Sequence, residues 1–159
     1  MPTDGTTAQL TALIAYLLAF APRGGGPTIG ATLGGRLWAI RAPDDAVYPH
    51  GTLRFTGGGQ AGDDSGSRKE GRIELKLLGR PLKQSIAVEY AADVAEQAFL
   101  KYSTNEHGLL DVRALVLRET LEPPPFPGDR SVAHVHAVWA YSWWPNYRTQ
   151  YAIVVGDAP

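Results

Sequence analysis

The sequence of 159 residues contains no cysteine. This absence excludes disulfide bonds, thiolate metal ligands and a cysteine nucleophile. Charged residues are also scarce, at 19% of the chain, and the formal net charge is −1. A chain with so small a net charge has no overall field that would draw it to nucleic acid, to a membrane surface or to acidic substrates.

A hydrophobic run long enough to cross a membrane is missing too. The longest apolar stretch, residues 8–21, is interrupted by Gln9 and Thr11, and a membrane helix needs roughly 20 apolar residues. The residues ahead of it carry no positive charge, so they do not resemble a secretory signal. We expect a product of the cytoplasm with no membrane partner.

Catalytic motifs are absent from the sequence as well. No Gly-x-Ser-x-Gly of the hydrolase type occurs, and the glycine-rich residues 23–30 lack the Gly-Lys-Ser/Thr ending of a phosphate-binding loop. The adjacent pairs Asp44-Asp45 and Asp63-Asp64 fall in turn-like stretches, where aspartate bonds the local backbone. We expect a protein that is not an enzyme, with no catalytic residue, no cofactor and no metal.

The chain does contain enough apolar material for one core, because 44% of its residues are hydrophobic and its length is typical of one domain. We expect a single domain over residues 1–159. Within it we distinguish a core at 6–143, a flexible loop at 57–69 and a C-terminal extension at 144–159.

Two segments have the spacing of amphipathic helices. The first begins near Thr6 or Thr7, which can cap it, and ends before Pro22, which cannot continue the hydrogen-bond ladder. The second ends near Tyr102. The predicted core face of the first consists of Leu10, Leu13, Ile14, Leu17 and Leu18, and that of the second of Ile86, Ala87, Tyr90, Ala91, Val94, Ala95, Ala98 and Phe99.

The remaining apolar segments favour strands. We predict two strands around a turn at 36–41 and 47–55, the second starting at Val47 or after Pro49, a third from Gly71, and two more at 110–121 and 131–143. Residues 24–35 and 57–67 are predicted loops. The order of elements predicts an α+β fold, with an antiparallel or mixed β-sheet of about four to five strands and two α-helices packed on one face.

Alternation places His134 and His136 on one side of the last strand, opposite Trp139 and Tyr141. Two imidazoles on one side could bind a metal ion with a third ligand, but no spacing in the sequence indicates one, so we favour surface or interface histidines. Consecutive Trp143 and Trp144 cannot both face a core. Exposed aromatic rings favour a protein contact over stacking on single-stranded nucleic acid, which needs a positive groove.

The order of these segments resembles the tail-terminator, or tail-completion, family of tailed-phage minor tail and neck proteins. The resemblance rests on the first helix ending in Ala-Pro, on Gly35-Arg36-Leu37-Trp38, on Arg41-Ala42-Pro43-Asp44-Asp45-Ala46 and on Val47-Tyr48-Pro49-His50. The later strand, helix and strand pair follow in the same order, so that the resemblance spans about residues 6–143.

The resemblance implies a virion protein of the tail or neck, assembled in the host cytoplasm. It implies a homo-oligomeric ring, expected to be a hexamer, that contacts the tail tube protein and the head-tail connector or stopper, while DNA passes through the lumen without specific binding. We place residues 57–69 on the tube-facing surface and residues 144–155 at the subunit boundary. The interface candidates are Gly57, Gly58, Gly59, Arg68, Lys69, Trp143, Trp144, Tyr147 and Tyr151.

A protein of a different class remains as the alternative. In that interpretation the chain is a small-molecule-binding α+β module with an apolar pocket under the first helix, lined by Trp38, Trp139 and Tyr141.

Overall fold

The computed structural model describes residues 6–60, 69–80, 83–102, 110–121 and 133–143. The helices in this part of the chain are α1 (Thr6–Ala19), α2 (Ile29–Leu33) and α3 (Ser85–Leu100). The strands are β1 (Leu37–Ala39), β2 (His50–Gln60), β3 (Lys69–Gly79), β4 (Leu110–Leu121) and β5 (Ala133–Trp143).

The strands form one mixed sheet in the order β1-β2-β3-β5-β4. β1 is parallel to β2, and every other neighbouring pair is antiparallel. α1 contacts β1 and β2, and α3 contacts β3, β5 and β4. The predicted α+β fold is therefore confirmed, with five strands in the sheet and a third, short helix in residues that were predicted to form a loop.

The core lies between the sheet and the helices. Over residues 73–79 of β3 and 134–141 of β5, buried residues alternate with partly or fully exposed ones, so that one side of each strand is buried. Leu10, Leu13 and Leu17 of α1 close the other side of the core, as their spacing predicts. The buried side chains of the two central strands are Ile73, Leu75, Leu77, Val135, Ala137, Trp139 and Tyr141.

α2 corrects the prediction of a loop over residues 24–35. The Thr28 side chain accepts a hydrogen bond from the backbone N–H of Ala31, and Gly34, with a φ of 61°, ends the helix in the left-handed region. Ile29 and Leu33 are buried. A five-residue helix is too short to produce a repeating apolar pattern, which is why the periodicity did not reveal it.

The predicted core face of α3 is wrong at its first residue. Val94, Ala98 and Phe99 are buried, but Ile86 is 82% exposed. Each step of four residues turns a helix by about 400°, so that a series with this spacing drifts by about 40° per step. Ile86 therefore lies on a different side of α3 from Ala98, three such steps away.

The first two strands do not form a hairpin. β1 has three residues and runs parallel to β2, so residues 40–49 must return the chain to the end at which β1 began. β2 starts after Pro49, which was one of the two predicted starts. Pro49 itself has no backbone N–H to donate to the sheet.

The predicted loop at 57–67 is wrong for its first four residues. β2 continues through Gly57–Gln60, with Gly59 opposite Glu70 and Gln60 opposite Lys69. Strand pairing uses backbone groups, so it does not require the apolar side chains that the prediction relied on. The flexible loop predicted at 57–69 is likewise wrong at Lys69, with which β3 begins, whereas residues 61–68 lie outside the described residues.

Candidate functional site

The outer edge of the sheet at β4 is the most unusual surface of the described structure. β4 pairs with β5 on one side, and no described strand lies on its other side. Three consecutive apolar residues, Leu115, Val116 and Leu117, are 42%, 51% and 40% exposed on this strand. We call this surface, residues 115–117 with the backbone of β4, the β4 edge.

Two irregularities in strand pairing produce this exposure. The register between β4 and β5 shifts between Val112 and Leu115 and again between Leu115 and Leu117. In a regular strand, alternate residues would turn toward the core. Bulges interrupt the alternation, and they are common at sheet edges. The result is a continuous apolar stretch on the surface of the described structure.

A shallow groove adjoins the β4 edge on the helix side of the sheet. Its volume is about 210 Å³. Phe99 and Trp139 form part of it, with their ring centroids 4.5 Å apart. Its lining residues are Glu96, Phe99, Leu100, Arg113, Leu115 and Trp139. The groove is smaller than the roughly 300–1,000 Å³ of most small-molecule sites, and it has room for one or two side chains of a partner.

An ion cluster fastens the second half of β4 to α3. The Arg118 guanidinium lies 2.7 Å from a carboxylate oxygen of Glu89, 2.7 Å from one of Asp93 and 3.1 Å from one of Glu96. Thr120 also donates a hydrogen bond to Glu89. Burial acts to raise the pKa of Glu89, but the hydrogen bonds from Thr120 and Arg118 outweigh it, and the pKa lies below its ordinary value. These contacts attach Arg118 and Thr120, which follow the exposed residues of the β4 edge, to α3.

The face of the sheet opposite the helices carries a second charged network. Glu74 lies 3.3 Å from Arg54, 3.5 Å from Lys76 and 3.5 Å from the Nε2 of His136. The Nδ1 of His136 is 3.7 Å from Glu119. Burial acts to raise the pKa of Glu74. The charges of Arg54, Lys76 and His136 have a larger effect in the opposite direction, so the pKa of Glu74 lies below its ordinary value. The network links β2, β3, β5 and β4 across the sheet.

The predicted positions of the two histidines are confirmed, since His134 pairs with Leu78 and His136 with Lys76, away from the buried side of β3. Within the described ranges, no group of three or more His, Asp or Glu side chains is placed to hold a metal ion. His136 instead lies between two carboxylates.

The opposite edge of the sheet, at β1, has two exposed apolar side chains beside a cluster of aromatic rings. Ile40 and Val47 are 65% and 63% exposed. Next to them the ring of His50 stacks on Tyr48, with centroids 4.9 Å apart, and meets the edge of Trp38 at 5.6 Å. Burial and the charge of Arg36 lower the pKa of His50, although its hydrogen bond to the Val47 carbonyl acts in the other direction. The two edges of the sheet therefore offer unlike surfaces.

The interface candidates from the sequence fall into two groups. Gly57, Gly58, Gly59, Lys69 and Trp143 lie in strands. The structure brings three of them to one end of the sheet, because Lys69 pairs with Trp143 and with Gln60, the neighbour of Gly59. The other candidates, Arg68, Trp144, Tyr147 and Tyr151, lie outside the described residues.

The β4 edge was not predicted from the sequence. The signal was present in Ala114-Leu115-Val116-Leu117, a run of four apolar residues without alternation. Such a run is compatible with a strand buried on both faces as well as with an exposed, bulged edge. Sequence alone does not separate the two.

The residues of the predicted small-molecule pocket do not come together. Trp38 pairs with Thr52 and lies on the face away from the helices. Trp139 and Tyr141 are buried on the helix side. The groove beside β4 contains Trp139 but neither Trp38 nor Tyr141, and it borders α3 rather than the first helix.

No known protein family matches this chain, and no characterised protein matches its sequence. Among the described residues, no helix is both long and apolar enough to span a membrane. The function must therefore be argued from the surfaces described above.

Proposed function

We propose that this chain is a structural, non-enzymatic subunit of a tailed phage that packs into a ring at the head-proximal end of the tail. The ring ends the growth of the tail tube and joins the tail to the head connector or stopper. The observation that carries the proposal is the β4 edge, a strand with exposed Leu115, Val116 and Leu117. The resemblance of the sequence to tail-terminator proteins supplies the biological context.

An exposed apolar edge strand is a liability for a protein that works alone. Strand edges invite pairing with other chains, and monomeric proteins usually protect them with charges, proline or a covering segment. Residues 115–117 themselves contain neither charge nor proline, although Arg113, Arg118 and Glu119 flank them on the same strand. A protein whose role is assembly uses such an edge as its contact surface, so the edge supports a structural role.

The difference between the two sheet edges supports a ring over a simple two-fold dimer. In a two-fold dimer the same patch meets itself, whereas in a cyclic ring two different patches of each subunit meet. The β4 edge belongs to a strand of 12 residues and has three exposed apolar side chains at its centre. The β1 side has one short strand with Ile40, Val47 and the His50 cluster beside it. A head-to-tail contact that uses the β4 edge on one side fits this asymmetry.

In this proposal DNA passes through the ring without being bound specifically. The formal net charge of −1 agrees with such passive passage, because tight binding to DNA needs clustered positive charge. On the described face away from the helices, Arg54 and Lys76 share the carboxylate of Glu74, and a second carboxylate, that of Glu119, lies beside His136. These acidic groups reduce the positive potential that this face offers to phosphates.

Electron microscopy with the tail tube protein from the same genome tests the proposal. Tubes polymerised in the presence of this chain should be of limited length and carry a ring at one end. Val116→Lys should abolish capping, since lysine on an edge strand opposes pairing. The matched control is Ile86→Lys, which places the same charge at an exposed apolar position on α3 and should still cap. Uncapped tubes with the unaltered chain would disprove the role.

The tube-facing position proposed for residues 57–69 has its own test. Because Gly59 and Gln60 pair with β3, a deletion must spare them and remove only residues 61–68. We expect the deletion variant to keep its fold and its ring, but to lose attachment to tube ends. Normal attachment would place the tube contact elsewhere.

A further inference from the structure

We propose that His50 and the carbonyl groups of residues 47–49 form a latch, which holds residues 40–49 against the sheet at neutral pH and releases them in acid. Residues 40–49, called the 40–49 segment below, connect β1 to β2 and carry the exposed side chains of Ile40 and Val47. The latch is a local switch at the β1 edge of the sheet, and it does not depend on whether the chain forms a ring.

Three consecutive carbonyl oxygens of the 40–49 segment accept hydrogen bonds from side chains. Carbonyl groups within a sheet are satisfied by the neighbouring strand, but residues 47–49 precede the first residue of β2. Side chains from three parts of the fold take the place of a strand here, and one of them titrates near neutral pH. The pairs are the Nδ1 of His50 with Val47 at 3.2 Å, the Nε2 of Gln84 with Tyr48 at 3.2 Å, and the Nε of Arg36 with Pro49 at 3.0 Å.

The His50 ring has little contact with water. His50 is 6% exposed, and its ring is in contact with the rings of Tyr48 and Trp38. Because the Val47 carbonyl oxygen can only accept a hydrogen bond, the Nδ1 of neutral His50 carries the hydrogen, and a further proton is taken up at Nε2. Protonation therefore keeps the hydrogen bond to Val47 but adds a positive charge at a buried position, which costs free energy.

The described residues around His50 add charge of the same sign. On β3 and β5 the same face of the sheet carries Lys76 and His134, which pair with Thr52 and Leu78, the latter also the partner of His50. The carboxylates of the segment itself are exposed, and that of Asp44 is paired with Arg41. The two arginines beside the latch are Arg36, whose charge lowers the pKa of His50, and Arg80, which lies 4.7 Å from the centre of the Tyr48 ring.

The direction of the switch follows from the burial of His50. Burial and the charge of Arg36 lower the pKa of His50 in the closed form from its ordinary value of 6.5, although the Val47 carbonyl acts in the other direction. In an open form the ring is in water and has its ordinary pKa. The open form therefore binds the proton first as the pH falls below about 6.5, and acid favours opening until the closed form is protonated as well.

The 40–49 segment is weakly held apart from the latch. It follows β1, which has only three residues. Ile40 is kept at a φ of +68°, a conformation that is costly for a β-branched residue and that an open segment can leave. Segments with few stabilising contacts open locally without unfolding the rest of the protein, so a modest loss at His50 is sufficient to release this one.

Amide hydrogen exchange in the full chain tests the latch. The reporters are the N–H of Ile40, which donates to Leu53, and the N–H of Ala46, which donates to Pro43. Each rate is divided by the intrinsic rate at the same pH, so that only the opening equilibrium is compared. We expect opening to increase roughly threefold or more from about pH 7.5 to about pH 5.5, while the amides of β3 and β5 keep their protection.

Two matched variants identify the histidine. His50→Asn keeps a donor toward the Val47 carbonyl but does not titrate, so opening of the segment should become independent of pH. His134→Asn removes another histidine from the same face of the sheet and should retain the response of the unaltered chain. Circular dichroism establishes that both variants fold.

Nuclear magnetic resonance of the unaltered chain gives a second readout that needs no substitution. The ring signals of His50 should titrate with a midpoint below 6.5. The indole signals of Trp38 should follow the same curve, because the two rings are in contact.

Three results would overturn the latch. The first is opening of the 40–49 segment that does not change with pH in the unaltered chain. The second is a pH response that persists in His50→Asn. The third is an equal loss of protection in β3 and β5, which would show that acid acts on the whole fold and not on this segment.

Discussion

The Tyr16 hydroxyl donates a hydrogen bond to the backbone carbonyl oxygen of Ala98 over 2.6 Å, and so joins α1 to the last turns of α3. The Tyr16 ring also meets the edge of Tyr102, with centroids 5.0 Å apart and planes at 77°. The two helices that cover the sheet are thus held together by a polar contact as well as by apolar packing.

Removing this hydrogen bond should destabilise the fold slightly. We expect Tyr16→Phe to lower the free energy of unfolding by about 1 kcal/mol, because one hydrogen bond to a partly buried carbonyl is lost. Tyr16→Ala also removes the ring contacts and should cost about 3 kcal/mol. Urea unfolding followed by tryptophan fluorescence measures both. Equal losses for the two variants would show that the hydroxyl, and not the ring, holds the helices together.

Arg118 should contribute more to the free energy of unfolding than an isolated arginine on the surface does. It faces Glu89, Asp93 and Glu96 on α3, so Arg118→Met leaves three carboxylates close together without their cation. Because the three carboxylates are 32–59% exposed and solvent screens them, we expect a loss of about 1–2 kcal/mol in the free energy of unfolding, measured by chemical denaturation. Adding Glu89→Gln should recover part of the loss, since it removes one of the repelling charges while Thr120 keeps a hydrogen-bond acceptor.

The same cluster predicts that the stability of the fold decreases at acidic pH. The pKa of Glu89 is lowered in the folded protein, so the unfolded chain takes up the proton first as the pH falls. The stability that the lowered pKa of Glu89 contributes is complete above the ordinary glutamate value of 4.5 and is lost as the pH falls through the folded pKa. The loss on acidification should be smaller in Arg118→Met than in the unaltered chain. An identical acid dependence would contradict the assignment.

The parts of the fold that were predictable are those with a repeating pattern. Alternation in β3 and β5 identified the buried residues Ile73, Leu75 and Trp139, and the helical spacing identified Leu13 and Leu17. When apolar residues repeat with the period of a helix or a strand over several turns or several alternations, the pattern shows which side of that element faces the core. This information was sufficient for the α+β architecture.

What could not be predicted depends on contacts between distant residues or on local irregularity. The partners of Arg118 on α3 are distant in sequence, from Glu96, 22 positions away, to Glu89, 29 positions away. The parallel pairing of β1 with β2 depends on the course of residues 40–49. The exposure of Leu115 and Val116 depends on two register shifts. None of these features leaves a periodic trace in the sequence, so the surface that carries the proposed function appeared only in three dimensions.

His50 should make stability depend on pH near neutrality. Its folded pKa is lowered from 6.5, mainly by burial, so the unfolded chain binds the proton first as the pH decreases. Stability should therefore fall as the pH drops below about 6.5 and level off once the folded form is also protonated. His50→Asn keeps a donor toward the Val47 carbonyl but does not titrate. Its melting temperature should change less than that of the unaltered chain between about pH 5.5 and 7, and an unchanged slope would rule out His50 as the source.

Ile40 offers a stabilising substitution. It has a φ of +68°, and its backbone N–H donates to the Leu53 carbonyl at 2.9 Å. A β-branched residue in the left-handed region costs roughly 1–2 kcal/mol, whereas asparagine enters this region more readily. Because the Ile40 side chain is 65% exposed, its removal sacrifices little packing. We expect Ile40→Asn to raise the free energy of unfolding by about 1 kcal/mol.

Val47→Asn is the matched control for this prediction. Val47 is similarly exposed, at 63%, but is not among the described residues with positive φ. The same replacement there should leave the free energy of unfolding nearly unchanged. Calorimetry of the two variants separates backbone strain from the loss of an exposed apolar side chain. A higher free energy of unfolding in both variants would show that the exposed apolar side chain, and not the backbone, is responsible. A lower free energy of unfolding in Ile40→Asn alone, together with a change in assembly, would show that Ile40 is a contact residue that is retained despite its backbone strain.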